Sequence, residues 1–181
     1  MRFGNSPFAQ IRGGNAEDAL CVSVLAMQVF LETYATEGIR PDLAREVLAT
    51  YAPEAFAERL RDPSTVFLLA ERAGHLVGFA EVRCGRAHPG MADPAAAELV
   101  RLYVQGRSKR HGLGSALLAN AEAEARRRSA DTLWLTVWSD NDSALAFYTA
   151  MGYEKVGTTR YAFQGNAYEN VVMQRALPNA T

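Results

Sequence analysis

The order of apolar patterns in this sequence predicts an α/β (α+β) fold, one domain over residues 1–181 with helices packed on a mixed sheet. Helix-period and strand-period stretches alternate along the chain. A strand, helix, strand succession over 98–104, 112–128 and 133–138 requires a parallel crossover. Two further strand pairs, each around a glycine-containing turn, read as antiparallel hairpins, and both kinds of pairing in one chain make the sheet mixed.

The elements follow in order. Residues 8–11 form a short apolar segment suited to a first strand. Asn15, with Asp18 three residues on, has the spelling of a helix N-cap, and Val22, Leu25, Ala26, Val29, Phe30 and Tyr34 then recur on one helical face. Gly38 and Pro41 break that pattern. Residues 41–51 and 53–60 read as two shorter helices, each opened by a proline whose missing N–H and fixed φ suit a first turn. Strands are expected over 66–70 and 76–83 with Gly74 in the turn, then a Gly-, Pro- and Ala-rich loop over 85–97. After the crossover, 141–151 reads as a helix ended by Gly152, and strands over 153–163 and 168–177 close the chain around a Gly165-Asn166 turn. The tail 178–181 is expected to fray.

Composition narrows the function. Apolar residues make up 49% and the formal net charge is −1, so nothing in bulk points to a nucleic-acid-binding surface. No run approaches the roughly 20 apolar residues of a membrane span, and the first residues lack the apolar core of a signal peptide, so the expected location is cytoplasmic, without a membrane partner. Cys21 and Cys84 sit in apolar patterns without a CxxC partner and read as buried free thiols. His75, His88 and His111 lack ligand spacing, so no metal site is expected.

Two constellations carry chemistry. The first runs from Gln105 through Lys109, Arg110 and His111 to Gly112, Leu113, Gly114 and Ser115, between a strand and a helix. Its glycines admit close backbone approach, the N–H groups of a helix N-terminus point at an anion, and Arg107, Lys109 and Arg110 add positive charge, so a pyrophosphate fits. The GxxxxGK[ST] phosphate loop is absent, and a GxGxxG reading from Gly112 meets Leu117 where a third glycine belongs, which removes a phosphate-loop hydrolase. The second constellation spans Asn141, Ala144, Phe147, Tyr148, Gly152 and Tyr153. Asn141 and Tyr148 are nearly two helical turns apart and emerge on the same face as Ala144, where one bound molecule could touch all three. Read without a ligand, Asn141 is a helix N-cap and Phe147 and Tyr148 are core aromatics.

Together these spellings resemble the GNAT superfamily of acetyl-CoA-dependent N-acetyltransferases. Its pattern Arg/Gln-xx-Gly-x-Gly/Ala is met by Lys109-Arg110-His111-Gly112-Leu113-Gly114, with Lys109 as the one departure, a point charge where the family has a fork or an amide. The family's Asn-xx-Ala-xx-Phe-Tyr-xxx-Gly-aromatic pattern is met from Asn141 to Tyr153. The resemblance implies a mostly antiparallel sheet with a central splayed parallel strand pair. It further implies acetyl-CoA as co-substrate, its pyrophosphate on the backbone of Lys109 to Ser115 and its pantetheine along Leu102, Tyr103 and Val104. Asn141 would then hydrogen-bond the pantetheine, Ala144 and Phe147 would line it, and Tyr148 would lie near the sulfur. A closer likeness is to bacterial Pai-type spermidine/spermine acetyltransferases, through Phe30, Thr33 and Tyr34, the ELVRLYV strand from Glu98, the Arg110 to Gly114 turn, Leu135 to Trp138, and Ala146 to Gly152. It implies a small-molecule polyamine acceptor, with Phe30, Tyr34 and Glu32 as substrate-side residues and Glu37 and Asp42 as nearby acids. Acidic residues at such a position are otherwise simply solvated.

Direct attack of an amine on a thioester needs a base for the amine, donors for an oxyanion and an acid for the leaving thiolate, and no metal. Glu98, fourteen residues before Gly112 at an offset shared with the general base of some histone-type relatives, is the candidate base. Without that role it is a strand-end carboxylate paired with Arg101. Backbone N–H groups near 102–104 would face the oxyanion, and Tyr148 is the candidate acid. The competing readings are an acetyltransferase for a protein N-terminus, amino acid or drug amine, and a non-catalytic CoA-binding module. The final strands offer edges on which a second copy could pair, as in many dimeric relatives.

Overall fold

The computed structural model describes residues 9–86, 95–109, 111–163 and 166–178, with side chains left aside at 161–163 and 166–167. Phe8, His88, Arg110, Gly165, most of the 85–97 loop and the last three residues of the tail lie outside these. Strand β1 (Gln10–Gly13) comes first, two residues later than its apolar segment suggested. Asn15 and Asp18 form a full capping box, but around a 3-10 turn, Ala16–Asp18, that leads into helix α1 (Ala19–Tyr34). Helices α2 (Pro41–Thr50) and α3 (Pro53–Arg61) each open on their proline as expected. Strands β2 (Thr65–Arg72) and β3 (His75–Cys84) are longer than their apolar cores and leave Ala73 and Gly74 as a two-residue turn, both at positive φ, 51° and 78°. That is the mirror-image turn whose twist matches a hairpin.

Strand β4 (Ala96–Val104), helix α4 (Leu113–Arg127) and strand β5 (Thr132–Trp138) make the predicted crossover. Helix α5 (Asp142–Ala150) and strands β6 (Glu154–Phe163) and β7 (Asn166–Ala176) complete the chain. The strands are hydrogen-bonded in the order β1-β2-β3-β4-β5-β7-β6. Pairing is antiparallel for β1 with β2, β5 with β7 and β6 with β7, and parallel for β4 with β5, whose register covers Ala96 to Glu98 against Thr132 to Trp134. The sheet is therefore mixed and mostly antiparallel.

The residues gather into two compact units, Met1–Glu81 with Arg101–Ala121, and Val82–Val100 with Glu122–Thr181. The first has an aromatic core, in which Phe56, Phe67 and Phe79 hold ring centroids 6.1 to 6.3 Å apart. Phe56 and Phe79 are fully buried, and truncating such a ring costs about 3–5 kcal/mol. The core of the second includes Ala96, Trp134 and Val172, with the Trp134 indole donating to the Arg86 carbonyl at 2.7 Å.

The cysteine expectation is half corrected. Both thiols are free, but Cys21 is exposed and Cys84 half-buried. Helix α1 is apolar almost all round, and only the face bearing Ala19, Val22, Leu25, Ala26 and Val29 is covered, while Leu20, Cys21 and Val24 point outward. Apolar neighbours therefore did not imply burial there. Among the described residues no helix is long and apolar enough to cross a membrane.

Candidate active site

In the first unit, β4 ends at Val104 and the chain turns through Gly106–Ser108, a 3-10 turn closed by the Ser108 N–H on the Gln105 carbonyl at 2.8 Å. Lys109, His111 and Gly112 are exposed. His111 Nδ1 lies 2.8 Å from the Lys109 carbonyl oxygen, which can only accept, so Nδ1 carries the hydrogen and the ring ties the turn to itself. Gly112 sits at φ +74°, and its carbonyl accepts the Ala116 N–H at 2.9 Å, which makes it the residue that opens α4. The N–H groups of Leu113, Gly114 and Ser115 then form the first helical turn, where no intrahelical acceptor exists. These donors, beside the charges of Arg107 and Lys109, suit an anion, and a pyrophosphate fits that donor set.

The same unit brings the substrate-side candidates together. Phe30 and Tyr34 hold ring centroids 4.6 Å apart, and Phe30 lies 5.2 Å from Tyr51. Glu32 accepts from the Gln28 amide at 2.9 Å, and its Oε2 lies 3.2 Å from where a Cβ on Gly106 would stand, so this carboxylate sits at the start of the Gly106–Ser108 turn. Asp42 takes Arg40 at 3.3 Å.

Tyr103 joins a set that local patterns do not disclose. Its ring meets Phe79 at 5.5 Å and its hydroxyl is 3.2 Å from that of Tyr51, so its side chain belongs to the aromatic core and only its backbone is available as a coenzyme rail. Beside them Glu81, with no exposed surface, takes Arg101 at 2.6 Å and Arg59 at 3.3 Å. Arg101 therefore has a buried carboxylate partner in Glu81. Burial pushes the Tyr51 hydroxyl up and the Tyr103 hydroxyl well up, so both remain phenols at neutral pH and neither can act as a base. A charge within the apolar run LVGFAEV was the one available signal of this network.

In the second unit, Glu98 stands opposite Trp134 in the parallel register and is half-buried. Asn141 caps α5, its Oδ1 accepting the Ala144 N–H at 3.2 Å, which leaves its amide Nδ2 out of the cap. Ala144 and Phe147 are half-buried, and Tyr148 is 8% exposed. The ring of Tyr148 meets Phe147 at 5.1 Å and Tyr153 at 5.6 Å. Glu122, only 5% exposed, accepts from the Tyr153 hydroxyl at 3.1 Å and from Arg175 at 2.9 and 3.2 Å. Its place on the apolar face of α4, one residue after Ala121 and three before Ala125, was the signal that it is buried.

Comparison with known proteins fits these features. Residues 31–153 match the model of the Acetyltransferase (GNAT) family. An uncharacterized N-acetyltransferase in the pepI 3' region of Lactobacillus delbrueckii subsp. lactis is 23% identical over 153 residues, 84% of this chain and 88% of that one. The N-alpha-acetyltransferase RimI of Mycobacterium tuberculosis is 30% identical over 125 residues, 69% of this chain and 75% of that one. The PaiA N-acetyltransferase of Thermoplasma acidophilum, crystallised with coenzyme A, shares the fold with a TM-score of 0.72 at 22% identity, over 93% of this chain and 98% of that one. The chain belongs to the GNAT family and is an N-acetyltransferase, moving an acetyl group from acetyl-CoA to an amine.

Proposed function

We propose that the acetyl-CoA pyrophosphate is taken by the backbone of Lys109 to Ser115 with Arg110, that the pantetheine follows Leu102, Tyr103 and Val104, and that Asn141, Ala144 and Phe147 contact the same molecule. The observation that carries this is Gly112 at φ +74°, which opens α4 with three N–H groups lacking helical acceptors beside exposed cations. Chemistry follows from what an amine needs. A primary alkylamine, with a pKa near 10.4 like lysine, is mostly charged at neutral pH and must lose a proton before attack. Glu98 takes that proton, the amine nitrogen bonds to the acetyl carbon, and the carbon–sulfur bond breaks as Tyr148 protonates the thiolate.

The acceptor is a small primary amine, and the polyamine reading has support in Glu32, whose carboxylate borders the Gly106–Ser108 turn with Phe30 and Tyr34 on the same helix. A second reading, a protein N-terminal α-amine, is favoured by the likeness to an N-alpha-acetyltransferase. A thiol-release assay with acetyl-CoA and a panel of spermidine, spermine, simple alkylamines and N-terminal peptides separates them. Preference for spermidine supports the first, and turnover with peptides alone overturns it. The role of Glu98 gives a second discriminator. An α-amine has a pKa near 8 and is partly neutral already, so Glu98→Gln should slow an alkylamine far more than a peptide.

A further inference from the structure

Tyr153 stands just past α5, and everything around it is arranged to hold it still. Its N–H returns to the carbonyl of Tyr148 at 3.0 Å, with Gly152 between them at φ +83° and its N–H on the Thr149 carbonyl at 3.0 Å. This is the glycine-closed helix end in which the residue after the glycine and the one five positions earlier are joined by a hydrogen bond and an apolar contact. Here both partners are tyrosines, their rings 5.6 Å apart and inclined at 63°, the favoured edge-on contact.

The far end of Tyr153 is anchored too. The residue is 2% exposed, and its hydroxyl donates to Glu122 Oε1 at 3.1 Å. Glu122 is in turn gripped by Arg175 at 2.9 Å and approached by Arg126 at 3.6 Å. Burial and the facing Glu122 charge push the Tyr153 phenol far above its ordinary range, so it stays a donor at every pH at which the enzyme would work. A phenylalanine would fill the same ring space without requiring a buried carboxylate beneath it. The hydroxyl adds to that packing a directional bond that fixes the far end of the ring.

We infer that Tyr153 is a positioning residue for Tyr148, fixing its backbone and ring through the helix-closing hydrogen bond and the edge-on contact, with Glu122 and Arg175 anchoring the Tyr153 hydroxyl. The inference rests on Tyr148 being the proton donor to the leaving thiolate. Small displacements of a reacting group are costly, about 10²-fold per ångström, and loss of the anchor alone should cost a part of that, about 3- to 30-fold in kcat.

The test is a double-mutant cycle. Tyr153→Phe keeps the ring and removes the anchor. It should lower kcat in the wild-type background with the acetyl-CoA KM unchanged, and leave kcat unchanged in the Tyr148→Phe background, because a residue acting through Tyr148 has nothing left to position. An equal fall in both backgrounds would make Tyr153 a general structural residue and overturn the inference, as would no fall in either. Failure of the acid role shows separately, as wild-type turnover in Tyr148→Phe alone. If Tyr153→Phe does not fold, Glu122→Gln, which retains an acceptor for the hydroxyl, is put through the same cycle. A smaller kcat loss confined to the Tyr148 background supports the inference, and an equal loss in both backgrounds, or none, refutes it.

Discussion

Replacing Gly112 by alanine separates backbone strain from coenzyme recognition. The residue sits at φ +74°, and a Cβ built there meets nothing within 4 Å, so the substitution carries no steric cost beyond the left-handed conformation itself. That conformation costs an L-residue about 1–2 kcal/mol. For a chain of this size each kcal/mol moves the melting temperature by about 2–4 °C, so Gly112→Ala should melt about 2–8 °C lower. Gly74, at φ +78° in the β2–β3 turn with equally open space, is the matched control. Both alanine variants should lose similar stability in thermal unfolding. Only Gly112→Ala should weaken acetyl-CoA, because relaxing φ re-aims the N–H groups of Leu113, Gly114 and Ser115, and a rise in KM of about tenfold corresponds to 1.4 kcal/mol. An unchanged melting temperature would refute the strain reading. A KM that rises equally in Gly74→Ala, or in neither, would refute the phosphate cradle.

Three other outcomes are expected. Tyr148→Phe should lower kcat by about 10²–10⁴, the usual worth of a positioned proton donor, while the acetyl-CoA KM stays within a few-fold; equal losses in both would remove the acid role. Glu81→Ala should cost about 3–5 kcal/mol in urea unfolding, because it strands the buried charges of Arg101 and Arg59, and a loss below about 1 kcal/mol would contradict the network. Arg12 donates to Asp18 at 2.7 and 2.9 Å, and chiefly these bonds hold the Asp18 carboxyl below its usual range. A carboxylate lowered on folding stabilises at pH above its unfolded value and loses that contribution as pH falls through the folded one. Wild type should therefore lose more stability than Arg12→Leu between about pH 4 and pH 2, measured by denaturant midpoints, and parallel curves would refute the linkage.

Much of the fold was legible because its signals are local. The Asn15–Asp18 box, the prolines opening α2 and α3, and the glycine ending α5 each act through neighbours a few residues away, and each stands where the spelling put it. Strand ends were less legible. Hairpin β2–β3 runs to Arg72 and resumes at His75, past its apolar core, because partner strands extend pairing beyond what either segment prefers alone.

The sequence by itself determined the family, through the spellings over 109–114 and 141–153, and it determined which residues share a helical or strand face. Tertiary structure decided the partners. Tyr51 meets Tyr103 across 52 positions, Arg101 meets Glu81 across 20, and Arg175 meets Glu122 across 53. Periodicity places a side chain on a face but carries no information about which distant charge or hydroxyl will close over it. For Glu81 and Glu122 that closure is what makes burial of a carboxylate tolerable. For Cys21, on the outward face of α1 with Leu20 and Val24, no such closure stands among the described residues, and the thiol is exposed.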